Sequence, residues 1–154
     1  EEDNDVRVNL LMNRTSNSLD VHSSIPYEGE VELKMKQGKC VSRCIPEWTE
    51  KGKVKCRVAG QSRTFPWQGQ YIDLGKIEAG QTVTVEFPIG VRKIETVLGD
   101  KQYELWIKGD TVVDIKPEGK IAPLYQRDHY LGGSARYKKV TRFCARETID
   151  WSQG

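Results

Sequence analysis

Val31, Leu33 and Met35 alternate with Glu32, Lys34 and Lys36, and Val83, Val85 and Phe87 alternate with Thr82, Thr84 and Glu86. Successive side chains of a strand point to opposite faces, so each run buries one face and wets the other. No window carries apolar residues at i, i+3, i+4 and i+7 between two caps, so the chain has little or no helix. Weaker alternation recurs at Val6-Arg7-Val8-Asn9-Leu10, at Leu19, Val21 and Ser23, and at Val54, Cys56 and Val58. Further extended runs cover residues 71–75, 94–98, 102–108 and 111–115.

Turn signals separate these runs. Pro26-Tyr27-Glu28-Gly29-Glu30 reads as a bend, because proline sets φ and glycine permits the return. Gln37-Gly38-Lys39 reads as a tight hairpin leading into a strand over residues 40–45. Ala59-Gly60-Gln61, Glu78-Ala79-Gly80-Gln81, Gly99-Asp100 and Gly109-Asp110 are further turns. About ten short strands at spacings of about 8–12 residues predict an all-β fold, an antiparallel, jelly-roll-like β-sandwich. We read residues 1–5 as an acidic lead-in at a fragment boundary and 6–131 as the sandwich. Residues 132–154 read as a C-terminal extension, with a further strand packing on the sandwich.

Twenty-four basic and 22 acidic side chains leave a net charge of +2. Nucleic-acid binding leaves a far more basic, clustered footprint, so no nucleic-acid partner is expected. No apolar run is long enough to span a membrane. Four cysteines, Cys40, Cys44, Cys56 and Cys144, allow three pairings if all are oxidised. They sit in strand-like patterns among apolar neighbours, which favours reduced, packed thiols over disulfides or metal. Reduced thiols favour the cytoplasm over a secreted or periplasmic location.

Catalytic constellations are absent from the pattern. His22 and His129 are the only histidines, and no Gly-x-Ser-x-Gly elbow accompanies them. In a continuous strand Cys40 and Cys44 share a face about 13 Å apart, too far for one tetrahedral metal ion. No metal or other cofactor is expected. A pair of carboxylates about 5–9.5 Å apart would serve glycoside hydrolysis, but the acids here lie mostly on polar strand faces. Glu47, between Pro46 and Trp48, is the exception. Trp67, in Phe65-Pro66-Trp67-Gln68-Gly69, together with Tyr71 is the candidate carbohydrate-stacking pair, since aromatic faces cover the apolar face of a sugar ring. The alternative is aromatic packing inside the fold. Asn13-Arg14-Thr15 fits a glycosylation sequon, meaningful only in a secreted eukaryotic chain.

Several segments together resemble the C-terminal β-sandwich region of the β-L-arabinofuranosidase-like hydrolases, glycoside hydrolase family 127 and its relatives. They are Val8-Asn9-Leu10-Leu11, Ser24-Ile25-Pro26-Tyr27-Glu28-Gly29, Arg43-Cys44-Ile45-Pro46-Glu47-Trp48, Tyr71-Ile72-Asp73-Leu74, Gly80-Gln81-Thr82-Val83 and Pro123-Leu124-Tyr125-Gln126-Arg127. The resemblance implies a parent with an (α/α)6 barrel that hydrolyses the sugar and carries the catalytic glutamate, the cysteines and the zinc. Nothing here resembles that barrel, so no catalytic or metal residue is carried over. The chain itself is then no enzyme but an accessory sandwich that packs on and stabilises the barrel of the same parent. A carbohydrate-binding module is the alternative, and a self-contained hydrolase a distant one. Trp48, Tyr125, Arg127, His129, Tyr130 and Trp151 are the expected domain-interface residues, and such a patch is also a route to self-association.

Overall fold

The computed structural model describes residues 4–117 together with Tyr130 and Gly132. The strands, numbered in chain order, form three sheets. The first contains β1 (Asp5–Val8), β5 (Lys39–Cys44), β8 (Trp67–Gln68) and β9 (Tyr71–Ile77), in the order β1-β5-β9-β8. The second contains β2 (Arg14–Thr15), β3 (Leu19–Ser23), β4 (Glu30–Met35), β6 (Lys55–Val58), β7 (Gln61–Ser62) and β10 (Thr82–Glu86), in the order β2-β3-β4-β10-β6-β7. The third is a meander of β11 (Val91–Leu98), β12 (Lys101–Lys108) and β13 (Thr111–Lys116). All strand pairs are antiparallel except β1 with β5. The described region is therefore the all-β sandwich that the alternation predicts. A 3-10 turn stands at Lys51–Lys53.

The first two sheets share one core. Val41, Ile45, Ile72, Leu74 and Ile77 of the first pack in one cluster with Val31, Leu33, Val83, Val85 and Phe87 of the second. Each fully buried aliphatic side chain contributes about 1.5–3 kcal/mol relative to exposure. The central place of β10, between β4 and β6, explains why its alternation is the cleanest in the chain. Leu10, by contrast, lies beyond the end of β1 and is exposed, so the first alternating run is one residue pair shorter than its pattern suggests.

The hairpin expected at Gln37-Gly38-Lys39 is instead a crossing between sheets: β4 belongs to the second and β5 to the first. Alternation reports which face turns inward, and both sheets of a sandwich turn apolar faces inward, so it cannot say which sheet a strand joins. The Glu78-Ala79-Gly80-Gln81 turn makes the return crossing from β9 to β10. It closes against the end of β4, where the Gly80 amide donates to the Met35 carbonyl (2.9 Å) and the Met35 amide to that of Gln81 (2.9 Å).

The cysteines also depart from expectation. Cys40, Cys44 and Cys56 are free thiols, but Cys40 is exposed and Cys44 half-buried, and only Cys56 is packed in the core. On β5 the inward positions are Val41 and Arg43, followed by Ile45, so the even-numbered residues face out. Cys144 and the expected C-terminal extension over 132–154 lie outside the described residues, apart from Gly132.

The meander joins the sandwich at one corner. Trp48 packs edge-to-face on Phe87, with ring centroids 5.7 Å apart. Its ring also lies against the β12–β13 turn, where a Cβ on Gly109 would come within 3.0 Å of it. Gly109 has φ +60°, so both backbone conformation and space require glycine there. Lys108, on the last position of β12, is buried, and its ammonium donates to the carbonyls of Tyr27 (3.0 Å), Tyr130 (2.9 Å) and Gly132 (2.9 Å). Three acceptors match the three donors of an ammonium.

Candidate functional site

The two aromatic residues singled out for sugar stacking are four positions apart, joined by the two-residue turn Gly69-Gln70. In the resulting register Trp67 pairs with Ile72 and Gln68 with Tyr71. Directly paired residues share a face, so Trp67 turns inward beside fully buried Ile72 while Tyr71 turns outward. The fold does not bring them onto one platform. Trp67 packs edge-to-face on Phe65 (5.9 Å) and against the core, and the Lys51 ammonium covers its ring at 4.9 Å.

Tyr71 belongs to a polar outer face. Its hydroxyl donates to Asn9 Oδ1 (3.0 Å), and the Arg7 guanidinium lies 5.0 Å from the ring centroid. The register places Arg7 beside Ser42 and Ser42 beside Asp73, one residue from each of β1, β5 and β9. Around this row runs a groove of about 380 Å³, lined also by Asp5, Cys40 and Gln68. It offers a cation, carboxylates, a hydroxyl and an amide. That set can hydrogen-bond a polyhydroxylated ligand. On the opposite side of β1, a second groove of about 560 Å³ opens between the sheet edges, with Val6, Val8, Leu10, Met12 and Leu19 among its lining.

Arg43 is the residue whose position sequence reasoning missed. It is fully buried between the sheets, with Phe87 5.9 Å from its guanidinium and one long hydrogen bond from Nη1 to the Val31 carbonyl (3.4 Å). Nε and Nη2 have no hydrogen-bond partner among the described residues. Burial pulls the guanidinium down to about 9, against the smaller opposing pull of Cys56 and Cys44. The Cys56 thiol is pushed up by burial, with Arg43 and Arg63 acting the other way. A raised, buried thiol is a poor nucleophile. Parity could have found Arg43, because it falls between inward Val41 and Ile45.

His22 lies on β3 opposite Glu32, and Glu47 is exposed beyond the end of β5. Asn13, of the sequon, accepts a hydrogen bond from the Ser23 amide through Oδ1 (2.7 Å). Among the described residues no group of three His, Cys, Asp or Glu side chains could hold a metal ion, and no helix is long and apolar enough to cross a membrane. Of the expected interface residues, Trp48 sits at the corner between sandwich and meander, and Tyr130 packs edge-on against Tyr27 (5.2 Å). Tyr125, Arg127, His129 and Trp151 lie outside the described residues.

No family model and no curated protein matches the chain. Among solved structures, it is similar to a GH127 β-L-arabinofuranosidase from Geobacillus stearothermophilus T6, with TM-score 0.51 and 15% identity over 73% of this chain and 20% of that one. A second GH127 β-arabinofuranosidase matches with TM-score 0.47 and 18% identity, over 61% of this chain and 18% of that one. A further glycoside hydrolase matches with TM-score 0.48 and 19% identity, over 61% and 17%. The chain thus spans about a fifth or less of the length of these structures. The first of these likenesses places the fold: the described sandwich is built like one portion of a GH127 enzyme.

Proposed function

We propose that the chain is an accessory β-sandwich of a glycoside hydrolase, without catalysis of its own, that packs on and stabilises an (α/α)6 barrel elsewhere in the same polypeptide. The observation that carries this reading is the shared sandwich fold with one fifth of a GH127 β-L-arabinofuranosidase. The segments around Arg43-Cys44-Ile45-Pro46-Glu47-Trp48 support it by their resemblance. In this reading Trp48 and Tyr130, with Tyr125, Arg127, His129 and Trp151, belong to the surface that meets the barrel.

The test is to sequence the flanking coding DNA and express the full reading frame with and without residues 1–154. A barrel-encoding region, and a lower thermal midpoint for the shortened protein, are the expected results. A reading frame without a barrel, or hydrolysis of arabinofuranosides by the 154-residue chain alone, would overturn the proposal.

The groove on the outer face of the first sheet favours a second reading, a carbohydrate-binding module whose site is the Arg7-Ser42-Asp73 row with Tyr71 beside Arg7. Glycan-array binding of the purified chain, lost in Tyr71→Ala and kept in Trp67→Ala, would place the ligand on the outer face. Loss in Trp67→Ala alone would move it to the β8 edge. No binding by a folded chain would remove this reading.

A further inference from the structure

β11 is the free edge of the third sheet: β12 pairs along one side, and the other side has no strand among the described residues. Seven of its eight residues are exposed, including Val91, Ile94, Val97 and Leu98, so both faces are open to an approaching strand. An open edge of this length, with apolar side chains on both faces, is a template for another strand. Natural edges are blunted by charge, proline, a bulge or a cover; this one has a regular register along its whole length against β12, and its only such device is the charge of Arg92, Lys93 and Glu95.

The sequence of the edge selects its partner. Two copies related by a two-fold axis must pair antiparallel, and the axis must pass through a pair of identical residues, because hydrogen-bonded and non-hydrogen-bonded pairs alternate along the ladder. An axis at Arg92, Lys93 or Glu95 sets like charges directly opposite each other, which is destabilising. An axis at Ile94 gives a different result. Ile94 then meets Ile94 of the second copy, Lys93 meets Glu95, Arg92 meets Thr96 and Val91 meets Val97. The stretch Val91-Arg92-Lys93-Ile94-Glu95-Thr96-Val97 reads apolar, basic, basic, apolar, acidic, polar, apolar, so this axis sets apolar against apolar, Lys93 against Glu95 and Arg92 against the neutral Thr96. We propose that β11 pairs with β11 of a second copy of this chain about a two-fold axis at Ile94, forming a continuous six-stranded sheet across the dimer.

The charges on that face suit the arrangement. Lys93 already holds Glu104 (2.7 Å) and Glu95 (3.1 Å) of its own chain. With Lys116 directly opposite Glu104 on the other side, each Glu95 would sit between its own Lys93 and that of the second copy. This surface lies on the meander edge and does not rest on the accessory-domain reading.

Sedimentation velocity over a concentration series, with reductant present because Cys40 is exposed, tests the proposal on the full 154-residue chain. A reversible monomer–dimer equilibrium is expected. Lys93→Glu sets two acid–acid contacts across the axis and should weaken association by about tenfold or more. The swap Lys93→Glu/Glu95→Lys restores complementarity across the axis and places a lysine opposite Glu104, so it should recover the dimer. Circular dichroism and thermal melts establish that both variants are folded. A chain still monomeric at about 1 mM, a dimer indifferent to Lys93→Glu, or a swap that fails to recover association would each overturn it.

Discussion

The interior strands of the two-sheet core and the edge strand β11 both carry apolar side chains and end in opposite states. Val31, Leu33, Val83 and Val85 are 0% exposed. Val91 and Val97, in an equally regular strand, are 51% and 65% exposed. A strand residue is buried only when a second layer covers its face, and β11 has no such layer among the described residues. Apolar side chains in a strand are therefore a capacity for burial, and the opposing layer decides whether that capacity is used.

Truncation at the two kinds of site should separate them most widely. Leu33→Ala removes a fully buried side chain from the centre of the second sheet and should cost about 2–5 kcal/mol in urea unfolding. A cost below about 1 kcal/mol would mean that the two layers do not close over it. Lys108→Met tests the seam between the regions. It leaves the carbonyls of Tyr27, Tyr130 and Gly132 without their shared donor, and should lower stability by about 2–3 kcal/mol. Amide exchange in β12 and β13 should rise more than in β4 and β10, because the meander loses its tie to the sandwich. Equal increases in all four strands would show the two regions to be one cooperative unit.

Arg43 is where the core breaks its own rule. Its Nε and Nη2 are buried without partners among the described residues, and a buried cation without a carboxylate is a net cost. Arg43→Met, similar in length and apolar, should stabilise the fold by about 1–2 kcal/mol. Destabilisation would show that the contact with Phe87 and the bond to Val31 outweigh the desolvation.

Asp20 gives a smaller effect with a pH signature. Burial raises its pKa, but the hydrogen bonds from Lys36 and Thr15 and the charge of Lys36 together hold it below the ordinary value. A carboxylate with a depressed folded-state pKa adds stability that is complete above its unfolded value of about 4 and is lost as pH falls through the folded one. Asp20→Asn should therefore cost about 0.5–1 kcal/mol at neutral pH, discounted for the partly exposed Lys36. The difference from the wild type should vanish as pH falls below about 4. Smallest of all, Val97→Thr in dilute solution should change stability by less than about 0.5 kcal/mol. A larger loss would mean that β11 is covered after all.

Much of this fold is legible in the sequence, and the residues show where legibility stops. Val31-Leu33-Met35 and Val83-Val85-Phe87 read correctly because both strands are interior to one sheet and covered on one face. Gly99-Asp100 and Gly109-Asp110 read correctly as turns, because two-residue hairpins leave a local signature. Gln37-Gly38-Lys39 carries a similar local signature and is a crossing instead, because sheet membership is set by contacts distant in sequence. The opposite faces of Trp67 and Tyr71 follow from counting pairs outward from Gly69-Gln70, so that relation was available to parity. Lys108 was not: its burial depends on three carbonyls from three segments, which no local pattern announces.

The parallel pairing of β1 with β5 has a consequence for the order of assembly. Antiparallel neighbours such as β3 and β4 find each other through a short turn, whereas Val6 reaches Val41 only after β2, β3 and β4 have been made. As the chain emerges from the ribosome, β1 appears before β5 and must wait unpaired. Its apolar face is exposed to whatever is nearby until β5 has docked beside β9. Binding sites for a holding chaperone would lie there, at residues 6–12, in the nascent chain.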